Sequence, residues 1–600
     1  MCIRDRRLFR FSGVIFERLA RINVHAMFAL ALKVFSRSTM SHTMLMLLAA
    51  GTMIVVINAT GLSATLEKNT NDRIDFTTAS DLRISGIDGF KTSNNETVKA
   101  IAELSWANTH TWGARTEARA GSSESASSFT MLALRPQEFV DLAAFRPDFA
   151  DQTLAELMGA ITDYVPTGSL SLPDDIVELE AVVKLQRSGK GRIDVWSRLL
   201  DATGTTHTIR MTTDESNQLA EGWQQISGTV KPEIPRPVSF IALEVYEPPT
   251  SPIGSAVTLT IDTLSAVDVS GTSIVVTDFG DIDVWHPMAT SISDDSRLSI
   301  INDGGEASND RRSLEFEMGR GTDDGVRGIY YSKNGPISVP LLVNSQFLDG
   351  AGLNVGESFS SQAYGRIVPF EIRGTFDLFP TMIDEGQSFA VSNVDALLAY
   401  LTPVSEPFLS DSAELFLDVD ETFSYQDRIA TIKRLDPSLR VLDGEALSAT
   451  SSARLGNAAG WRIVGSLIAT SVVLITVVTA VAVTIHNQDL NRLDSVLVES
   501  MGASRIGIVL EVSTRILISL GLGFALGAFG GVYGVRFITD RMTRTSTGEA
   551  ALPPMLLQID WLLVVAAMVL LVGATLIPVV WSLMRPKDSV AVRIRTSSVA

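Results

Sequence analysis

Of the residue types that do covalent or metal chemistry, this chain uses acids freely and the others sparingly. It holds 68 Asp and Glu, six His and a single Cys. The histidines, His25, His42, His110, His207, His286 and His486, never pair at a metal-ligand spacing. One cysteine, Cys2, leaves no partner for an intrachain disulfide or a Cys-based zinc site. Gly189-Lys190-Gly191 lacks the upstream glycine and the following hydroxyl of a phosphate-binding loop, so the chain is not expected to hydrolyse ATP. No G-x-S-x-G elbow occurs. Neighbouring acids such as Asp323-Asp324 and Asp418/Asp420 are what a strongly acidic surface produces by composition. The expectation is a chain with no catalytic residues, no metal and no cofactor. A net charge of −19 excludes nucleic acid as a partner.

The spacings that do stand out are mechanical. In GLGFALGAFGGVYG, Gly523, Gly527 and Gly531 recur every four residues on one helical face, and Gly530 with Gly534 makes a second such pair. Small residues let helix backbones approach closely in lipid, so this face is expected to meet another helix. Upstream, Leu490, Leu493, Leu497 and Met501 recur at three- and four-residue steps, with Asp489, Arg492, Asp494 and Glu499 mostly elsewhere around the wheel. That pattern predicts an amphipathic helix over 489–501, closed by Gly502.

These features sit in a chain with 46% hydrophobic residues and four long apolar runs: 43–66, 463–485, 506–537 and 557–583. Each reaches the length of about 20 residues that spans a bilayer. The first lacks a convincing cleavage site and runs on into a stalk. Residues 7–37 are basic, with Arg7, Arg10, Arg18, Arg21, Lys33 and Arg37 against Glu17 alone, and the tail carries Arg585, Lys587, Arg593 and Arg595. By the positive-inside rule both ends are cytoplasmic and residues 67–455 extracytoplasmic; Arg536, Arg541 and Arg544 in the loop 538–556 are the counter-signal. Residues 1–42 then form a cytoplasmic amphipathic segment (1–6 set aside as extraneous), 486–505 a cytoplasmic link and 584–600 a cytoplasmic tail. A bacterial cell membrane, with its lipids as partners, is the expected location.

The middle of the chain is strand-rich. Residues 67–166 and 271–455 mix strands and helices, while 167–270 breaks into short alternating strands separated by Gly, Pro and Asp. The fold class expected is therefore an α+β membrane protein. Four transmembrane helices carry a large extracytoplasmic mixed α/β domain, interrupted by a β-sandwich. The sandwich resembles a jelly roll of the carbohydrate-binding-module type, which raises an extracytoplasmic glycan or protein as a ligand.

The segment LDSVLVESMGASRIGIVLEVSTRILISLGLGFALG resembles the FtsX-like (MacB-like) permeases of ABC transporters. Asp494 takes the place of the family's usual acid, and Met501, Gly502, Ala503, Ser504 and Arg505 fit as they stand. Glu499 departs, where a basic residue is common, and so does Arg515, where Glu is common, with Glu511 one turn earlier. Leu353, Val355, Gly356, Glu357, Gly374, Asp377, Phe379 and Pro380 similarly match the family's outer-domain motifs. The resemblance implies a permease subunit whose 489–502 helix docks on a separate cytoplasmic ABC ATPase. It also implies a homodimer or a second permease cassette, and this chain as the C-terminal cassette of a longer one. Lipid, lipoprotein or peptide export, or control of cell-wall enzymes, would be its work. The alternative is a membrane-anchored glycan-binding protein or sensor with no ATPase partner.

Overall fold

The structure is a computed structural model. It describes residues 31–33, 39–87, 96–120, 127–187, 192–213, 219–246, 257–288, 296–302, 312–318, 326–382, 387–404, 413–420, 422–453, 458–490, 497–542 and 552–584. The chain divides into two compact units, one of Met1–Arg73 with Ser448–Ala600 and one of Ile74–Leu447.

The first unit is helical. Its long helices are α1 (Thr39–Thr78), α2 (Ala458–Leu490), α3 (Arg505–Met542) and α4 (Trp561–Met584). All four are long and apolar enough to cross a membrane. Their interior holds Met53, Ile57, Ala480, Leu520, Val535 and Leu571, and α4 packs on both α2 and α3. Polar atoms turn inward: buried Thr52 donates its hydroxyl to that of Thr476 at 2.8 Å. Large apolar side chains turn outward, with Phe529 78% exposed and Leu562 81%. A protein surrounded by water does not present continuous apolar faces of this size, whereas lipid is their ordinary solvent. On α4 the exposed Trp561 and Trp581 lie 20 residues apart, about 30 Å along the axis, the thickness of a hydrocarbon core. Tryptophan favours both membrane interfaces, where an amphipathic ring meets headgroups.

The second unit is built on a nine-stranded mixed sheet. Its strands are β1 (Leu82–Ile87), β2 (Ala107–Ala120), β3 (Ser127–Leu134), β4 (Val339–Asn344), β5 (Ser358–Ala363), β6 (Arg366–Phe376), β7 (Ser388–Asn393), β8 (Ala413–Val419) and β9 (Arg440–Asp443). The order is β5-β6-β4-β7-β3-β2-β8-β1-β9. Only β4 with β6 and β7 with β3 run parallel. Val339–Asn344 is buried at every position, as expected of a central strand covered on both faces. One face packs Phe347, Leu397 and Tyr400 from the helices Ser345–Ala351 and Val394–Val404. The other packs Phe139 and Leu157 from Pro136–Leu142 and Leu154–Ala160.

Between β3 and β4 the chain makes two six-stranded antiparallel sheets around one core that includes Leu179, Val183, Leu199, Phe240, Leu259 and Phe316. The sandwich runs from Leu170 to Tyr331, which corrects the expected end at 270. Ser313–Met318 covers one side of Val257–Asp268, and Val326–Tyr331 covers one side of Ser239–Tyr246. Without them two inner strands would expose unpaired backbone. Both are short and separated by Gly- and Asp-rich stretches, so their alternation was hard to see.

Three further boundaries shift. Helix α1 is continuous over 40 residues, well past 66. Helix α2 does not stop at 485 but continues to Leu490, and α3 continues beyond 537 to Met542. Residues 1–30 and 585–600, including their basic side chains, lie outside the described residues.

Candidate functional site

The glycine face of α3 lies against α1. A Cβ added at Gly527 would stand 2.5 Å from Met53 Cβ and 2.6 Å from the Ala50 carbonyl. At Gly523 it would stand 2.6 Å from the Met46 carbonyl and 2.7 Å from Ala49 Cβ, and at Gly531 it would stand 2.8 Å from Ile57 Cβ. No real Cβ tolerates such distances, so only glycine admits this approach. A Cβ added at Gly534 would stand 2.8 Å from the Asn58 amide, and one at Gly530 would stand 3.3 Å from the tip of Ile54. The contacts rise together in number along both helices, so α1 and α3 run parallel. A second close crossing joins α1 to α2, where a Cβ on Gly465 would meet the Ala59 carbonyl at 2.6 Å.

The stretch expected to be a separate helix is described only at its two ends. Asp489 and Leu490 are the last residues of α2, because α2 propagates through the polar residues that follow its apolar run. Arg492, Leu493 and Asp494 lie outside the described residues. Residues 497–500 are helical, with Leu497 55% exposed, and this helix ends in a turn at Met501, 85% exposed. Gly502 has φ +96°, a backbone region L side chains rarely adopt, and its N–H donates to the Glu499 carbonyl at 3.1 Å. Ser504 then accepts the Gly507 N–H at 3.1 Å, capping α3. Thus Met501-Gly-Ala-Ser-Arg is a helix stop and a helix start in five residues. Glu499 pairs with Arg505 at 3.1 Å across this turn. That contact ties the turn together. Leu497 and Met501, one turn apart, stay exposed before the turn, as do Ile506 and Leu510 on α3 after it.

Sequence reasoning missed a third site, in the sheet unit, where the last turn of α1 meets β1. The Thr77 carbonyl accepts from Arg83 Nη1 at 2.9 Å, and the Phe76 carbonyl accepts from the Thr381 N–H at 2.6 Å. These are carbonyls that a helix end otherwise leaves unmatched. Arg83 grips Glu414 on β8 through Nη2 at 2.8 Å and Nε at 3.2 Å. Arg115 on β2 grips the same carboxylate at 2.8 Å and reaches the Thr381 hydroxyl at 2.7 Å. Burial pushes the Glu414 carboxyl up, but the guanidiniums of Arg115 and then Arg83 more than reverse this, holding it below its ordinary value. Thr381 sits at φ +70°, uncommon for a β-branched residue. It closes the Asp377–Pro380 motif: Asp377 and Leu378 both donate N–H to the Phe149 carbonyl, and Phe379 stacks on Phe139.

The chain leaves the sheet beside where it entered. Leu82 of β1 is in register with Asp443 of β9, and the Gly444 N–H donates to the Asp81 carbonyl at 2.9 Å. Asp443, 1% exposed, accepts from the Ala446 N–H at 3.0 Å, so it caps the outgoing helix Gly444–Ala453. Arg428 anchors Asp443 and Glu445, each at 2.9 Å. Both strand ends of the stalks therefore carry a buried arginine–carboxylate cluster. Elsewhere among the described residues, no group of three or more His, Cys, Asp or Glu is arranged to hold a metal ion.

No protein-family model matches the chain, and no curated protein matches it. Among solved structures it is similar to the crystal structure of the periplasmic region of MacB from Actinobacillus actinomycetemcomitans. The two are 9% identical with a TM-score of 0.23, over 65% of this chain and 100% of that one.

Proposed function

We propose that this chain is the permease subunit of an FtsX/MacB-type ABC transporter. ATP hydrolysis in a separate cytoplasmic subunit would work its sheet domain mechanically, the domain lying outside the cell membrane. The observation that carries this reading is the pairing of β1 with β9. The strand that follows the first long apolar helix and the strand that precedes the second are hydrogen-bonded neighbours, so any change in the spacing of two stalks would act on one edge of one sheet. The reading is supported by the exposure of Leu497 and Met501 beside the Met501–Arg505 turn, in the segment where the resemblance implies that an ATPase would push. An exposed apolar row flanked by charges is the ordinary form of a helix-in-groove contact.

The test is co-purification of the full chain with candidate ABC ATPases of the same organism, and permease-stimulated ATP hydrolysis by the pair. Leu497→Asp should abolish both while the protein remains in the membrane, since Leu497 is more than half exposed and carries little of the fold. If both persist in that variant, the segment is not the coupling element. Orientation is tested separately in a Cys2→Ser background. A cysteine at Ser293 should react with a membrane-impermeant thiol reagent in intact cells, and one at Ser597 should not.

A further inference from the structure

Helices α1, α2 and α3 leave between them an open groove of about 330 Å³, walled by Ile54, Asn58, Leu62, Val464, Ile468 and Ile538. Its walls are almost wholly apolar. Asn58 and Ser63, the polar exceptions, donate back to carbonyls of their own helix, Asn58 to Ile54 at 2.7 Å and Ser63 to Thr60 at 2.9 Å. The groove owes its form to the Gly465–Ala59 crossing: where the two backbones touch, no side chain fills the crevice beside them. From Ile54 to Ser63 it follows nine residues of α1, about 14 Å, or close to half of a hydrocarbon core. One turn beyond its end stand Glu67 and Arg462, paired at 2.9 Å, with side chains 44% and 67% exposed.

An apolar slot one leaflet deep, closed at the polar end by one cation and one anion, has the pattern of a zwitterionic phospholipid. We propose that this groove binds one acyl chain of a bilayer phospholipid, with the headgroup phosphate on Arg462 and the headgroup ammonium at Glu67. Guanidinium pairs well with phosphate, and a flanking carboxylate selects a headgroup that carries its own positive charge. A helix from a second copy fits less well, since an apolar helix face would offer the exposed Arg462–Glu67 pair neither a phosphate nor an ammonium. The proposal rests on the reading that these helices span a membrane.

The test uses the full chain in nanodiscs of phosphatidylcholine doped with phosphatidylethanolamine carrying a diazirine midway along one acyl chain. After photolysis, label should concentrate on peptides containing 54–63 and 464–468. It should exceed that on the outward-facing Leu474–Val478 stretch of α2 about tenfold, a site preference of about 1.4 kcal/mol. Ile468→Trp should fill the slot and remove that excess while labelling of Leu474–Val478 stays unchanged. Arg462→Gln should reduce groove labelling by the phospholipid but not by a diazirine-bearing fatty alcohol, which has no phosphate. Even labelling of all exposed faces would overturn the site, as would groove label that survives Ile468→Trp. Crosslinks from a photoreactive residue at 468 to a second chain would assign the groove to a dimer contact instead. No label even on Leu474–Val478 would refute the membrane reading itself, a different failure from that of the groove.

Discussion

The glycine seam between α1 and α3 and the arginine–carboxylate joint at the end of α1 solve the same problem, holding one helix in one place, by opposite means. The seam removes side chains until backbones touch; the joint adds three long charged ones that meet at the buried Glu414 carboxylate. The solvent explains the difference. Among lipid tails apolar burial drives nothing, so close van der Waals contact has to do the work. In a water-soluble sheet the apolar core already supplies the driving force, and a buried ion cluster instead imposes direction: it is satisfied in only one arrangement. The seam should therefore fail by added volume and the joint by removed charge.

The largest effect is expected at the joint. Glu414→Ala leaves the buried Arg83 and the half-buried Arg115 without their carboxylate, and losing one side of such a cluster costs about 3–5 kcal/mol. Thermal melting of the full chain in detergent should show the loss. The wild-type cluster also has a pH signature. Because the folded-state pKa of Glu414 lies below its ordinary value, its contribution is complete at pH values above that ordinary value. It is lost as pH falls through the depressed folded value. Glu414→Gln should flatten this acidic limb of stability against pH. An unchanged limb would show that other carboxylates set it.

The next effect is at the seam. Gly527→Leu forces atoms into space held by Met53 and the Ala50 backbone, and overpacking of this kind costs about 1–3 kcal/mol. Membrane insertion should be normal, while crosslinking between cysteines placed on α1 and α3 should fall and the transport proposed for the chain should be lost. Normal crosslinking in that variant would mean the two helices do not meet there.

Gly530→Ala should do less, since its added carbon meets only the flexible end of Ile54. Gly521→Ala should do least. Nothing lies within 4 Å of its added carbon, and a helical glycine gives up about 0.5–1 kcal/mol relative to alanine, so the change should be neutral or slightly stabilising. If Gly521→Ala harmed the protein as much as Gly527→Leu, glycine content rather than the close contact would be what matters.

Much of this was legible from local pattern, and the rest was not for definite reasons. Helix length and apolarity depend on neighbours in sequence, so the four long helices and the spacing of Gly523, Gly527 and Gly531 could be read directly. The helix opposite that face could not be read, because close approach says only that a neighbour exists; the structure seats it against Met46 to Ile57. The Met501–Arg505 turn was visible as a motif, yet the Glu499–Arg505 pair that ties it appears only once the chain reverses. Arg83 and Glu414 are 331 positions apart, and neither stands out among 49 basic and 68 acidic residues. Nothing in their own neighbourhoods marks them, since a buried ion pair is defined by which strands become adjacent. The sequence by itself determined the elements whose reasons are local: apolar spans, glycine rows, a helix stop at Gly502. Only the tertiary structure decided which strands close the sandwich beyond 270 and which arginines hold the end of α1. Those choices are made by burial and pairing between segments hundreds of residues apart.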